Sequence, residues 1–189
     1  MPPKVKITRD DIIKASIELV RKNGEDAVNA RSLAAAMNCS TQPIFSNFDS
    51  MEELDKSVKL AAYEIYTDFL NKERMYGKYP PYKSFGMAYI RFAKEESELF
   101  KLLFMCDRKG EELVSTVDFD ESVEMIMRAN RCSKETAKLM HLEIWACAHG
   151  IATMLATSFC HLEWDFISEM LSDVYLGVRA RHMNEIEVY

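Results

Sequence analysis

Val28-Asn29-Ala30-Arg31-Ser32-Leu33-Ala34-Ala35-Ala36-Met37-Asn38-Cys39-Ser40-Thr41-Gln42-Pro43-Ile44-Phe45-Ser46-Asn47-Phe48 reads as two short helices joined by a tight turn. Asn29 is a suitable N-cap, because its short side chain accepts hydrogen bonds from the free backbone amides that open a helix. The helix it starts covers about Ala30 to Met37, Asn38-Cys39 makes the turn, and a further helix covers about Thr41 to Asn47. Leu33, Ala34, Met37, Ile44 and Phe48 recur at helical spacing and form the inward set. Ala34 is small enough for the two helices to approach closely. The outward faces of the last helix carry Thr41, Gln42, Pro43, Phe45, Ser46 and Asn47: short or neutral hydrogen-bonding groups with two rings.

Upstream, Thr8 is an N-cap candidate, and the acids of Arg9-Asp10-Asp11 suit the positive end of a helix dipole. Ile13, Ser16, Ile17 and Val20 make the inner stripe of this first helix, and Asn23-Gly24 is its C-terminal stop. The outline is that of a helix-turn-helix with a supporting helix in front. Downstream, Ser50 opens a long fourth helix and Glu53 completes a capping box. Its stripe of Met51, Leu54, Val58, Ala61, Ile65 and Phe69 continues to about Lys72, and Gly77 with Pro80-Pro81 then breaks the chain. Further helices are expected at about 83–95, 97–105, 119–131, 134–159 and 164–182, the last two with broad apolar faces. The expected fold is all-α. A helix-turn-helix domain covers 1–50, a connecting helix 50–72, and a helical bundle 73–189.

Composition narrows the function classes. The chain has no twenty-residue apolar run free of charge, so a transmembrane helix is not expected. Its start, Met1-Pro2-Pro3-Lys4-Val5-Lys6, lacks the apolar centre of a secretory signal. Five scattered cysteines with no Cys-x-x-Cys argue against a disulfide framework and for a reducing cytoplasm. The net charge of −6 is the wrong sign for a nucleic-acid binder, yet it is unevenly placed. Residues 1–60 carry nine Lys or Arg and nine Asp or Glu, and Ala27 to Phe48 holds Arg31 and no acid. The acidity belongs to the second part; charge permits DNA binding without establishing it.

The run from Val28 to Phe48, followed by Ser50-Met51-Glu52-Glu53-Leu54, resembles the signature of the tetracycline-repressor (TetR) family of transcriptional regulators, in register over roughly residues 8–56. The resemblance implies a homodimer that binds palindromic operator DNA, with the third helix in the major groove. Gln42 and Asn47, which both donate and accept, are then candidates to read an adenine edge. Pro43, Phe45 and Ser46 share their face. Ser40 and Thr41 suit a phosphate beside free backbone amides, and Arg31 is a candidate phosphate clamp. The chain also departs from the family pattern. Phe45 stands where relatives usually carry a phosphate-bonding Tyr, Asn47 stands for a usual His, and Met51 for a usual Lys. Those contacts are expected to weaken or to move onto Lys56 or the tail residues Lys4, Lys6 and Arg9, giving a shallow salt dependence.

For the second part the resemblance implies a ligand cavity, and pairing of the last two helices with a second subunit. Ile144-Trp145-Ala146-Cys147-Ala148-His149-Gly150 is similar to a Trp-x-x-x-His-Gly element of one branch of the family. Trp145 and His149 lie four apart and share a helical face. They either line the cavity, with a stacking plane and a hydrogen bond, or pack as core. Gly150 favours core, since a glycine inside a helix usually permits close packing. Tyr66, Tyr89, Phe104, Met105, Met125 and His141 are further ligand candidates, and an apolar or aromatic effector is expected. No cofactor is implied. Cys147 and His149 are two apart and point in different directions, and no His-x-x-x-His or Glu-x-x-His pair supplies two metal ligands on one face. Glycine-rich phosphate loops and nucleophile motifs are absent, so no enzyme is expected. A purely α-helical dimeric ligand-binding or structural module, without DNA binding, is the alternative.

Overall fold

The computed structural model describes residues 7–106 and 117–183, and the described residues contain helices and turns but no strand. Two compact units emerge: Met1–Thr67 with Glu96–Cys106, and Asp68–Glu95 with Asp107–Tyr189. Residues 96–106, which the sequence reading grouped with the C-terminal part, therefore fall with the first unit.

In the first unit, α1 (Arg9–Asn23) is opened by Thr8, whose hydroxyl accepts from the Asp11 amide at 3.2 Å. The Asp11 carboxylate in return accepts from the Thr8 hydroxyl at 2.7 Å and the Thr8 amide at 3.0 Å, and these two bonds hold it below the usual carboxylate range. Gly24 ends α1 at φ +80, a conformation that strains any residue with a Cβ. A 3-10 turn (Glu25–Ala27) leads to α2 (Ala30–Ala36), capped by Asn29, whose Oδ1 accepts from the Arg31 and Ser32 amides at 3.1 and 3.0 Å. Asn38, at φ 51, turns the chain in the left-handed region. Next come α3 (Gln42–Asn47) and α4 (Met51–Tyr76), with α4 contributing to the first unit as far as Thr67. Ser50 Oγ accepts from the Glu53 amide as expected, but Glu53 returns its bond to the Asp49 amide, at 2.7 Å, one residue before the anticipated partner.

The core of this unit corrects the sequence reading at three places. Ile12, fully buried, takes the place expected for Ile13, which is half-buried, and Met37 is also only half-buried. Along α4 the buried line is Leu54, Val58, Ala62 and Tyr66, then Leu70 and Glu73 in the second unit. Ala61, Ile65 and Phe69 are half-buried flanks. Each four-residue step overshoots a helical turn of 3.6 residues, so the covered line winds around the helix instead of running straight. The helix α6 (Ser97–Phe104) packs on α1, burying Leu99, Phe100, Leu102 and Leu103. Arg21 joins the two through a forked pair with Glu96, at 2.9 and 2.7 Å.

In the second unit, α5 (Pro81–Glu95) lies against α8 (Lys134–Ala156), which also meets α7 (Val117–Asn130) and α9 (Trp164–His182). Phe119, Val123 and Ile126 of α7 pack on Ala137 and Met140 of α8. A Cβ at Gly86 would lie 3.2 Å from Leu171 Cδ1, so α5 approaches α9 closely there. Arg131 and Ser158, at φ 52 and 54, end α7 and α8 as Asn38 ends α2. By length and composition α8 is apolar enough to cross a membrane, but its buried face is covered by α5, α7 and α9.

Candidate nucleic-acid interface

α3 is short and held from both sides. Ile44 and the following Phe48, 1 % and 2 % exposed, pin it to the unit's core. Pro43 stands in its first turn, where a missing backbone N–H costs nothing. At the far end, Arg9 Nη1 donates to the carbonyl of Asn47, the last residue of α3, at 2.8 Å. The same guanidinium donates to Ser57 Oγ at 3.0 Å, pairs with Glu53 Oε1 at 2.8 Å, and lies 4.0 Å over the Phe48 ring.

This frame decides which of the expected contact residues face outward. Ser40, Gln42, Phe45 and Ser46 are exposed, Phe45 at 54 %, and the Gln42 amide has no hydrogen-bond partner among the described residues. Thr41 occupies the N-cap without making a side-chain capping bond, so its hydroxyl is not consumed by the helix. Asn47 differs from expectation. Its Nδ2 donates to the Pro43 carbonyl at 2.8 Å, and the side chain is half-buried, so the amide braces α3 internally. Ser46 Oγ likewise donates to the Gln42 carbonyl at 2.9 Å. Arg9, expected as a substitute phosphate contact, is turned into the Asn47–Ser57–Glu53 network instead. Lys4 and Lys6 lie outside the described residues.

Much of the positive charge in the first unit is already paired. Lys56 meets Glu52 at 2.8 Å, Lys59 meets Glu25 and Asp55, and Lys101 meets Glu98. Arg21 is shared between Glu18 and Glu96, which raises its pKa further. Arg31 is exposed, with no ion pair among the described residues. Exposed pairs such as Lys56–Glu52 are weak in water and exchange partners readily.

The candidate ligand residues fall into separate groups. Tyr66, in the first unit, is 4 % exposed and meets Phe104 edge-on at 5.2 Å between ring centres, while Met105 is 43 % exposed. In the second unit, Tyr89 hydroxyl and His149 Nδ1 are 2.8 Å apart, and Trp145 stacks on His149 at 4.9 Å with an 18° tilt. Burial pushes His149 below the usual imidazole range and the Cys147 thiol up. His141 belongs to a different cluster, with its Nδ1 2.9 Å from Tyr82 hydroxyl and its ring edge-on to Phe119. Burial lowers His141 to about 4 and raises Tyr82. Met125 is half-buried on α7. Gly150, expected to permit close packing, is exposed, and a Cβ built there meets nothing within 4 Å. The chain's own helices give no reason for a glycine at that point.

A helix-turn-helix frame carrying a short braced helix with an outward polar face, in an all-α chain, gives this protein the fold of TetR-like regulators. It is similar over 93 % of its length to the crystal structure of a TetR-like transcriptional regulator from Rhodococcus sp. RHA1, covering 96 % of that chain at 12 % identity and a TM-score of 0.67. It is also similar, over 89 % of its length and 97 % of the other chain, to a protein from Vibrio parahaemolyticus described as a TetR-family transcriptional regulator, at 15 % identity and a TM-score of 0.63. No family model and no curated protein matches the sequence.

Proposed function

We propose that this chain is a cytoplasmic DNA-binding transcriptional regulator, acting as a homodimer whose two α3 helices enter successive major grooves of a palindromic operator. The single observation that carries the reading is the outward face of α3, where Gln42 offers an unengaged amide on a helix braced by Arg9, Ile44 and Phe48. A Gln amide donates and accepts in the pattern that an adenine edge presents in the major groove, and the exposed Phe45 ring suits a thymine methyl. Ser40, Thr41 and Arg31 supply backbone contacts, with Lys56 exchanging Glu52 for a phosphate. Because so many basic groups are ion-paired within the chain, few counterions are released and the salt dependence is shallow.

Dimerisation through α8 and α9 is supported by exposed Leu139, Phe159, Phe166 and Leu176, and by Gly150 and Gly177, whose outward sides are open. Effector binding draws on Trp145, Tyr89 and His149, which together offer a ring face and a neutral hydrogen-bonding pair to an apolar or aromatic molecule. Such a molecule releases DNA only to the extent that it binds the released state better. The reading is a repressor that excludes polymerase.

The test is selection of duplexes from a random-sequence pool, followed by anisotropy titration of the selected sequence. Binding of a palindrome by a dimer, weakened by Gln42→Ala, is the expected result. A chain that selects no duplex would instead be an α-helical dimeric module without DNA binding.

A further inference from the structure

We infer that Arg9 is a positioning residue for α3, setting the angle of the recognition helix without touching the DNA backbone; the inference rests on the DNA-binding reading above. Arg9 sits one residue after the Thr8 cap, at the start of α1, yet its bonds reach the last carbonyl of α3 and two side chains of α4. These contacts span 38 and 48 residues of sequence and converge on one planar group. The acceptors are themselves fixed. Glu53 is held by the Asp49 amide at 2.7 Å, and Ser57 Oγ donates to the Glu53 carbonyl at 3.0 Å. Phe48, whose ring carries the guanidinium at 4.0 Å, is 2 % exposed and cannot yield.

α3 depends on such a brace because it is six residues long and buries only Ile44 within its own span. Its start is held by the turn after α2, where the Cys39 amide reaches the Ala34 carbonyl at 2.9 Å. Its end is held by Arg9. Gln42 stands five residues from Asn47, about 7.5 Å along the axis, so a tilt of about 10° about the Arg9 end displaces it by about 1 Å. A hydrogen bond to a base edge does not survive that error well. A lysine keeps the charge but cannot fork to three acceptors in one plane.

The side chain of Arg9 is 42 % exposed, so a phosphate clamp is the competing role. The two separate in full-length protein titrated over a salt series against a fluorescein-labelled duplex selected by the wild-type chain. A positioning role predicts that Arg9→Lys weakens binding about tenfold or more and Ser57→Ala about threefold, each with the wild-type slope of log K against log salt. Arg9→Lys binding like wild type overturns the proposal. So does an Arg9→Ala variant that makes the slope shallower by about one while Ser57→Ala is silent. Circular dichroism checks that the variants are folded, and Ser57→Ala, which deletes one oxygen, keeps the test decisive if the Arg9 variants are not. A wild-type chain that selects no duplex refutes the DNA-binding reading itself and is recognised before any variant is made.

Discussion

The two units use their polar side chains in different ways. In the first, Thr8, Asn29, Ser50 and Arg9 bond to backbone at helix ends, whether the helix is six residues long, as α3 is, or 26, as α4 is. In the second, tyrosine hydroxyls meet side chains of other helices, Tyr82 with His141, Tyr89 with His149 and Tyr175 with Asn130, while Ser133 caps α8. End-capping fixes where a helix starts and points, which suits the proposed docking of α3 in a groove. Side-chain pairs between helices fix how the helices lie against each other rather than where each one begins. The outward faces differ in the same sense, with Gln42 and Ser46 exposed on α3 against Leu176, Phe166 and Gly150 on α8 and α9.

The harshest way to separate the units is to hollow one of them. Ile44→Ala should cost about 2–5 kcal/mol, through lost burial and the space left behind, and duplex binding should vanish. Both tryptophans, Trp145 and Trp164, lie in the second unit. Tryptophan fluorescence during chemical unfolding should therefore shift less than the far-ultraviolet circular dichroism; an equal shift would mean the two units melt as one.

Acid should act on the second unit. His141 takes up a proton near pH 6.5 when unfolded but only near about 4 when folded. The unfolded chain thus binds more protons between these values. The contribution is fully present above about pH 6.5 and is lost as pH falls to about 4, roughly 3 kcal/mol across the window. His141→Gln should flatten the pH dependence of the unfolding free energy followed by fluorescence, and a slope unchanged by that substitution would remove His141 as its source.

Gln42→Ala should lower operator affinity by about 1–3 kcal/mol and leave thermal stability within experimental error. Anisotropy and calorimetry on the same preparation check both halves. An unfolding change as large as the binding change would show that Gln42 serves the fold. The smallest effect is expected at Gly150. Alanine there meets nothing among the described residues, so the helix should gain about 1 kcal/mol. If a second copy covers this face, sedimentation should show weaker self-association, so the two effects have opposite signs. A gain in stability with unchanged self-association would leave Gly150 outside any interface.

Much of this architecture is legible in the sequence because its signals are local. Thr8 and Asn29 announce their helices by residue type, and Gly24 its stop by the conformation it alone adopts easily. The expected stripe of α4 departs from the buried line after Val58, because a straight stripe does not follow a four-residue repeat that drifts around the helix. At the start of α1, Ile13 completes a stripe with Ser16 and Val20 by spacing, but Ile12 does so equally well and is the one buried. The roles of Arg9 and Asn47 were illegible for a different reason. Arg9 depends on partners far along the chain, and the Asn47 amide chooses between a base and the Pro43 carbonyl through geometry that composition does not encode. At Gly150 the sequence tells that a glycine is unusual in a helix, not which side it opens.

Asn38, Arg131 and Ser158 close three helices in a backbone region that glycine enters without penalty and side chains resist. Each of α2, α7 and α8 thus ends at a corner that carries a small, local strain. Glycine at Arg131 or Ser158 would relax such a corner while also enlarging the freedom of the unfolded chain, and the two effects oppose each other. Selection can therefore adjust the heat tolerance of this protein in fine steps at Arg131 and Ser158 without altering the outward residues of α3.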